Sequence, residues 1–365
     1  MLDFALTEEQ EAIQHLARSI AVEQLRPQAR AAESAGDIAL SLLQTVFHTG
    51  LISPFPESYG GSGDISAITY ALIAEELGFG DGALALNILG SMMGPLTVVL
   101  AGDEQQQARY IPAFCDASRS ATVHGCLAFA ERGGEHRLAD VATSARHDGT
   151  HYMLTGTKRS VIHGADAQPR VLIFRLAATT SIDGVGACLL PEQVEGLTVA
   201  AETSKLGLIA APSASYTLQD VVIPEHDLLG TPGNDGVMRA VSLYALLRAG
   251  IACGIGRAAL EYASAYAVER TTFGKPIVAY QSIAFMLAEM AMQLDAARLL
   301  LWSAASAWDQ RVTSVSLLRA AESAQFQASK LAKSATTDAV QILGGAGFMQ
   351  DHPVEMWMRN AATLE

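Results

Sequence analysis

ERTTFGKPIVAYQSIAFMLAEMA, residues 269–291, is a short loop with a helical pattern on either side. After Gln281 the apolar residues recur at three and four spacing, which is the signature of a helix burying one stripe. The same spacing runs backward through MRAVSLYALLRAGIACGIGRAALEYASAYAVER, residues 238–270. It returns in SLLRAAESAQFQASKLAKSATTDAVQIL, residues 316–343. Short connections make such helices antiparallel neighbours, so residues 230–365 are predicted to form a four-helix bundle whose fourth helix begins near Glu365. The methionines on these stripes read as core.

The loop itself gathers Arg270, Phe273, Gly274 and Lys275. A guanidinium suits a diphosphate and an aromatic suits a ring, so the group fits a ligand carrying both. Taken alone, it also reads as an ordinary helix connection with a capping glycine. Gln281 follows at the start of the next helix. Near the other end of the bundle sequence, QILGGAGFM (341–349) places Gln341, Gly344 and Gly345 where backbone N–H groups can approach a ligand without obstruction by Cβ.

Upstream of the bundle the texture changes. Residues 115–229 carry short β-branched and aromatic runs between turns, among them ATVHGCLAFA (121–130), RVLIFRLAA (170–178) and SASYTLQDVVI (213–223). His147, Asp148 and Gly149 form a credible hairpin turn. An antiparallel β domain is expected there. Residues 1–114 return to helical spacing in LTEEQEAIQHLARSIAVEQLRPQARAAE (6–33) and ISAITYALIAEELG (65–78), with PESYGGSGD (56–64) as a loop between them. Thr7, followed by two glutamates and Gln10, marks a helix start.

The 365 residues are 50 % hydrophobic, enough for two or three substantial cores. A net charge of −14 with only 24 Lys plus Arg argues against a nucleic-acid partner. Cysteines 115, 126, 188 and 253 are scattered without zinc spacing, and no signal peptide is legible, so a reduced cytoplasmic protein with no metal site is expected. The uncharged stretch from Gly82 to Gly102 approaches bilayer length, but Asn87, Gly90, Ser91, Gly94 and Pro95 interrupt it and favour a buried helix pair over a membrane span.

Together, ERTTFGKPIVAYQSIAFMLAEMA, DAVQILGGAGFMQDHPVEMWMRNA (338–361), LTEEQEAI, LISPFPESYGGSGD (51–64) and the helix–β–helix order resemble the acyl-CoA dehydrogenase family over essentially the whole chain. The resemblance implies FAD held between the β domain and the bundle. It implies that Arg270, Phe273 and Gln281 serve the diphosphate and adenine end, and that Gln341, Gly344 and Gly345 reach the FAD of a neighbouring subunit. It implies α,β-dehydrogenation of an acyl thioester, carried by CoA or by a carrier protein, in a homodimer or homotetramer, with an electron-transfer flavoprotein as a candidate partner. The reaction needs a carboxylate base at Cα and hydrogen-bond donors for the enolate oxygen.

The sequence departs from the family at the flavin. In AERGGEHR (130–137), Ala130 replaces a threonine, and His136 and Arg137 stand at a serine and an aspartate. Ser160-Val161-Ile162 matches a Trp-x-Thr. Ala245 replaces an arginine, while Arg248 lies one turn later. His124, His136 and His163 read as ordinary histidines of the β domain. Counting from Arg359-Asn360-Ala361, the usual base falls three residues beyond Glu365, and the alternative position on the first bundle helix is Tyr244 or a close neighbour. The catalytic base is therefore left unassigned, with Glu365 as one candidate. The second reading is a non-catalytic chain that completes the FAD pocket of a paralogous subunit.

Overall fold

Thr7 starts the chain's first helix by a reciprocal cap. Its hydroxyl accepts from the Gln10 N–H at 3.2 Å, and the Gln10 side chain accepts from the Thr7 N–H at 3.1 Å. The computed structural model describes residues 5–63, 65–131 and 137–364. Helix α1 (Glu8–Ile20) passes through one wide π turn at Ala21–Leu25 into α2 (Arg26–Ala35), which Gly36 ends in the left-handed conformation. Then come α3 (Leu40–His48), α4 (Ala67–Gly80), α5 (Gly82–Gly90), α6 (Met93–Ala101), α7 (Glu104–Tyr110) and α8 (Pro112–Cys115).

The uncharged Gly82–Ala101 stretch is thus a helix pair. It and the first bundle helix are long and apolar enough to cross a membrane, yet both are largely buried within the fold. Asp81 caps α5, its Oδ1 accepting from the Ala83 and Leu84 N–H groups at 2.9 Å each.

Seven strands follow: β1 (Cys126–Ala128), β2 (Ser144–His147), β3 (His151–Ile162), β4 (Arg170–Leu176), β5 (Val185–Leu190), β6 (Leu197–Ala201) and β7 (Ser213–Pro224). The expected turn joins β2 to β3. Gly149 takes φ +108°, and Asp148 Oδ1 accepts from the Thr150 and His151 N–H groups. The sheet is mixed, where the sequence reading expects antiparallel pairing throughout. Instead of folding back beside β3, the chain crosses to the far side of β2, so β4 runs parallel to β2 and to β1 while β5 pairs with it antiparallel. Alternation along a strand reports which residues face inward and not which strand lies alongside, so this order could not be read from sequence.

The bundle comprises α9 (Asp235–Glu269), α10 (Gln281–Asp309), α11 (Ser314–Leu343) and α12 (Val354–Leu364), with a small hairpin, β8 (Thr271–Thr272) and β9 (Lys275–Pro276), between α9 and α10. α9 is the axis of the molecule and is buried on nearly every side along its first half. It approaches α4 backbone to backbone. A Cβ on Gly254 would lie 2.1 Å from the Glu75 carbonyl oxygen, and one on Gly78 would lie 2.5 Å from that of Ile251. Glycines at this crossing let two helices share one core at a spacing that side chains forbid. Across the crossing, Arg257 forms an ion pair with Glu75 at 2.9 Å and another with Glu76 at 2.5 Å.

Candidate active site

A small cavity of about 60 Å³ opens where α9 meets α12, α5 and the end of β3. Tyr244 and Arg248, four residues apart on α9, face it together, as helical geometry requires. Leu86, Ile162, Leu208 and Leu364 supply apolar wall, and Thr363 and Ser160 supply hydroxyls. Arg248 is 4 % exposed. Its Nη2 donates to the Leu364 carbonyl at 2.6 Å, while Nη1 is buried with no hydrogen-bond partner among the described residues. Burial lowers its pKa below the usual guanidinium value. Lys205, the cavity's other cation, is already engaged, donating to the carbonyls of Leu208 at 2.9 Å and Ala211 at 2.6 Å. No carboxylate lines the cavity among the described residues.

Behind this wall the β domain is clamped by a pair that the sequence reading missed. Lys158, fully buried, donates to Glu131 at 2.7 Å and to the Phe129 carbonyl at 3.2 Å. The other face of the clamp is backbone: Glu131 accepts from the N–H groups of Ala142 at 2.7 Å and Thr143 at 2.9 Å. Burial brings Lys158 down to about 8. Burial alone would raise Glu131, but Lys158 and the Thr143 bonds hold it below the ordinary carboxylate value. The clamp fixes the short segment ending in Ala130. A lysine inside β3 gives no signal in sequence that its partner lies 27 residues away.

Ala130 and Ile162 are nearly buried. Ile162 packs on α5, where a Cβ added to Gly90 would stand 2.9 Å from its Cγ2. An apolar contact thus occupies the position of the family threonine. His163 and His124 stack with ring centroids 4.1 Å apart, and His163 Nε2 lies 3.1 Å from the Asn87 carbonyl oxygen. Burial pulls His163 down to about 4. Both lie at the seam of the β domain and α5, and His124 Nδ1 is buried with no hydrogen-bond partner among the described residues. His136 and Glu365 lie outside the described residues. Ala245 is buried on α9, and Arg137 pairs with Asp140 at 3.3 Å.

The six residues expected to meet FAD stand elsewhere. Ser334 Oγ donates to Gln293 Oε1 at 3.0 Å, which sets the register of α11 against α10. Equal steps from that pair, back along α10 and forward along α11, bring Gln281 level with the Gly344–Ala346 turn. Arg270 and Phe273 belong to the same end, since α10 starts where α9 stops. All six are exposed. Phe273 is 97 % exposed and holds φ +48° in the two-residue turn of the β8–β9 hairpin, with Gly274 at +84°. Such turns favour Asn-Gly, so an aromatic kept here in open solvent is working against local preference. Gly344, at φ +59°, and Gly345 have nothing within 4 Å of a would-be Cβ. A guanidinium, a solvent-facing ring and open glycine backbone fit the diphosphate and adenine of a dinucleotide. This end is far from the cavity: Tyr244 and Glu269 are separated along α9 by roughly 38 Å at 1.5 Å per residue.

A larger, open cleft lies at the opposite end of the bundle, beside Arg239, Trp308 and Asp309. Its polar groups serve the fold: Asp309 caps α4 at the Ala67 N–H at 2.6 Å, and Arg239 donates to the Trp308 carbonyl at 3.0 Å.

A helical domain, a β domain and a bundle around a buried, mostly apolar cavity define an oxidoreductase of the flavin-dependent kind that works on acyl thioesters. The chain belongs to the acyl-CoA dehydrogenase family. It matches that family's N-terminal domain over residues 7–118, its middle domain over 126–221 and its C-terminal domain over 233–365. A probable acyl-CoA dehydrogenase, YngJ of Bacillus subtilis, is 30 % identical, covering 100 % of this chain and 95 % of its own. A cyclohex-1-ene-1-carbonyl-CoA dehydrogenase of Syntrophus aciditrophicus is 31 % identical over 98 % of this chain and 85 % of its own. The solved structure of butyryl-CoA dehydrogenase from Megasphaera elsdenii superposes with a TM-score of 0.82 at 28 % identity, covering 100 % of this chain and 95 % of that one. FAD is the cofactor of the family, and its members are homo-oligomers.

Proposed function

We propose that this chain catalyses FAD-dependent α,β-dehydrogenation of an acyl thioester, with the acyl group in the cavity beside Tyr244 and Arg248. The observation that carries the reading is a mostly apolar cavity, walled by α5, α9, α12 and β3, within a chain similar along its length to acyl-CoA dehydrogenases. Bound FAD supplies the hydride acceptor. The protein aligns the acyl chain between apolar walls and excludes water from it. Removal of the Cα proton calls for a carboxylate that the described lining does not contain, so Glu365→Gln belongs in the first test. Similarity to whole dehydrogenase chains supports an enzyme over a subunit that only completes a paralogue's pocket.

The sequence reading divides the six FAD residues between two subunits' cofactors; we assign all six to the FAD of a neighbouring copy. They sit together at one end of the bundle, and the 38 Å or so along α9 exceeds the reach of a single FAD. Phe285, Met292 and Leu299, one heptad apart on α10, are exposed and form an apolar stripe suited to a second copy, in a homodimer or homotetramer. Electron-transfer flavoprotein fits as the acceptor, and four free cysteines fit a reducing, cytoplasmic setting.

The test is anaerobic bleaching of the flavin by a series of acyl-CoA thioesters, in wild type and in Glu365→Gln. Substrate-specific bleaching with appearance of the enoyl product supports the reading. A protein that binds no FAD, or whose flavin no thioester reduces, overturns it.

A further inference from the structure

We propose that the acyl group this chain accepts ends in a carboxylate, and that Arg248 selects it. The inference rests on the dehydrogenase reading above and names its substrate class. Arg248 is a fully buried guanidinium facing a cavity with no acidic side chain among its described lining, and one of its terminal nitrogens has no acceptor there. Arg170, the other arginine buried as deeply, donates to two backbone carbonyls, those of Glu192 at 3.1 Å and Ala165 at 2.9 Å, whereas the partly buried Arg257 and Arg359 have carboxylates. Arg257 sits between Glu75 and Glu76, and Arg359 between Glu33 and Glu355. Those cations are compensated within the fold. Arg248 has one backbone carbonyl and the face of Tyr244, 5.8 Å from its guanidinium carbon to the ring centroid.

A buried cation without a counter-charge is expensive unless something else completes it, and a carboxylate is the acceptor that a guanidinium matches best. An alkyl end would leave the Nη1 proton unsatisfied against hydrocarbon. The cavity of about 60 Å³ admits only a short chain beyond the thioester. The substrate class is therefore the mono-thioester of a short dicarboxylic acid. The distal carboxylate would keep its charge and its place on Arg248 while the Cα and Cβ hydrogens leave, the hydride acceptor being supplied by FAD when bound. Arg248 contacts this non-reacting end of the substrate, so it determines specificity and takes no part in proton transfer.

The experiment uses FAD-loaded protein and compares glutaryl-CoA with hexanoyl-CoA, by anaerobic flavin bleaching and by calorimetric binding, in wild type, Arg248→Lys and Arg248→Met. Wild type should prefer glutaryl-CoA by at least about tenfold in kcat/KM, since a site built for a polar group rejects the analogue lacking it. Arg248→Lys should retain part of that preference, and Arg248→Met should reverse it. Equal or better use of hexanoyl-CoA by wild type, or an equal fall for both thioesters in Arg248→Met, overturns the proposal. If neither thioester bleaches the flavin, the dehydrogenase reading has failed, and binding alone judges the anion site. Tighter binding of glutaryl-CoA that disappears in Arg248→Met upholds it; indistinguishable binding sinks it. Should Arg248→Met not fold, the wild-type preference decides.

Discussion

Arg248 donates to the Leu364 carbonyl oxygen at 2.6 Å, joining the middle of α9 to the last described turn of α12. The bond is charge-assisted and stabilises by about 1.5–3 kcal/mol. Against it stands the desolvation of a cation with no carboxylate partner among the described residues, which costs several kcal/mol. The second effect is the larger. Arg248→Met, which keeps most of the volume, is expected to melt at or above the wild-type temperature without ligand, and Arg248→Ala below it because of the cavity left behind. Thermal unfolding of the three proteins decides; a clear drop in Arg248→Met would show that the pairing with Leu364 dominates.

The α4–α9 crossing makes a second claim. A methyl group at Gly254 would stand 2.1 Å from the Glu75 carbonyl oxygen, and backbone cannot step aside as a flexible side chain can. Gly254→Ala is expected to cost about 1–3 kcal/mol or more by forcing the helices apart. Gly274→Ala, in open space but at φ +84°, should cost less, about 1 kcal/mol from backbone strain alone. Urea denaturation of both variants gives the comparison, and equal losses would contradict the close approach.

His163 makes the fold acid-sensitive in a definite window. Burial holds it near 4 when folded, against an ordinary value near 6.5. Between these pH values the unfolded chain takes up a proton that the folded chain refuses, so stability falls as the pH drops through the window and is fully present above it. The loss at pH 4 is on the order of a few kcal/mol. Melting temperatures at pH 7.5 and 4.5 should diverge more in wild type than in His163→Asn. Parallel shifts in the two proteins would remove His163 from the account.

What the sequence made legible follows from the range of the physics involved. Thr7 and Gln10 interact within one turn, and Asp148 with Gly149 makes its own hairpin, so both were readable in place. Periodicity showed which residues of α10 and α11 face inward. The parallel placement of β4, the Lys158–Glu131 clamp and the Arg248–Leu364 bond depend on segments far apart in the chain, and no local pattern encodes them. The site divides the same way. Arg270, Phe273, Gln281, Gln341, Gly344 and Gly345 were found as motifs, but that they share one end of the bundle emerges only from helix register.

Phe273 offers the sharpest separation of folding from binding. It stands 97 % exposed at the tip of the β8–β9 hairpin, with φ at +48°, where asparagine is the residue the turn prefers. Its side chain contributes nothing to the core, so an aromatic there makes sense only if something covers it, and the adenine end of FAD from a neighbouring copy is the proposed cover. Phe273→Asn is expected to leave the FAD-free protein as stable as wild type, or more stable by up to about 1 kcal/mol as the turn relaxes. FAD affinity should fall by roughly 0.5–1.5 kcal/mol, the contribution of one aromatic contact. Stability is read by urea denaturation of the FAD-free form and affinity by titration of FAD into it, with light scattering to record the assembly state. Weaker FAD binding at unchanged or improved stability places Phe273 on the cofactor. Unchanged FAD affinity would take the hairpin out of the site, and a loss of stability without FAD would mean that the ring packs against something the single chain does not show.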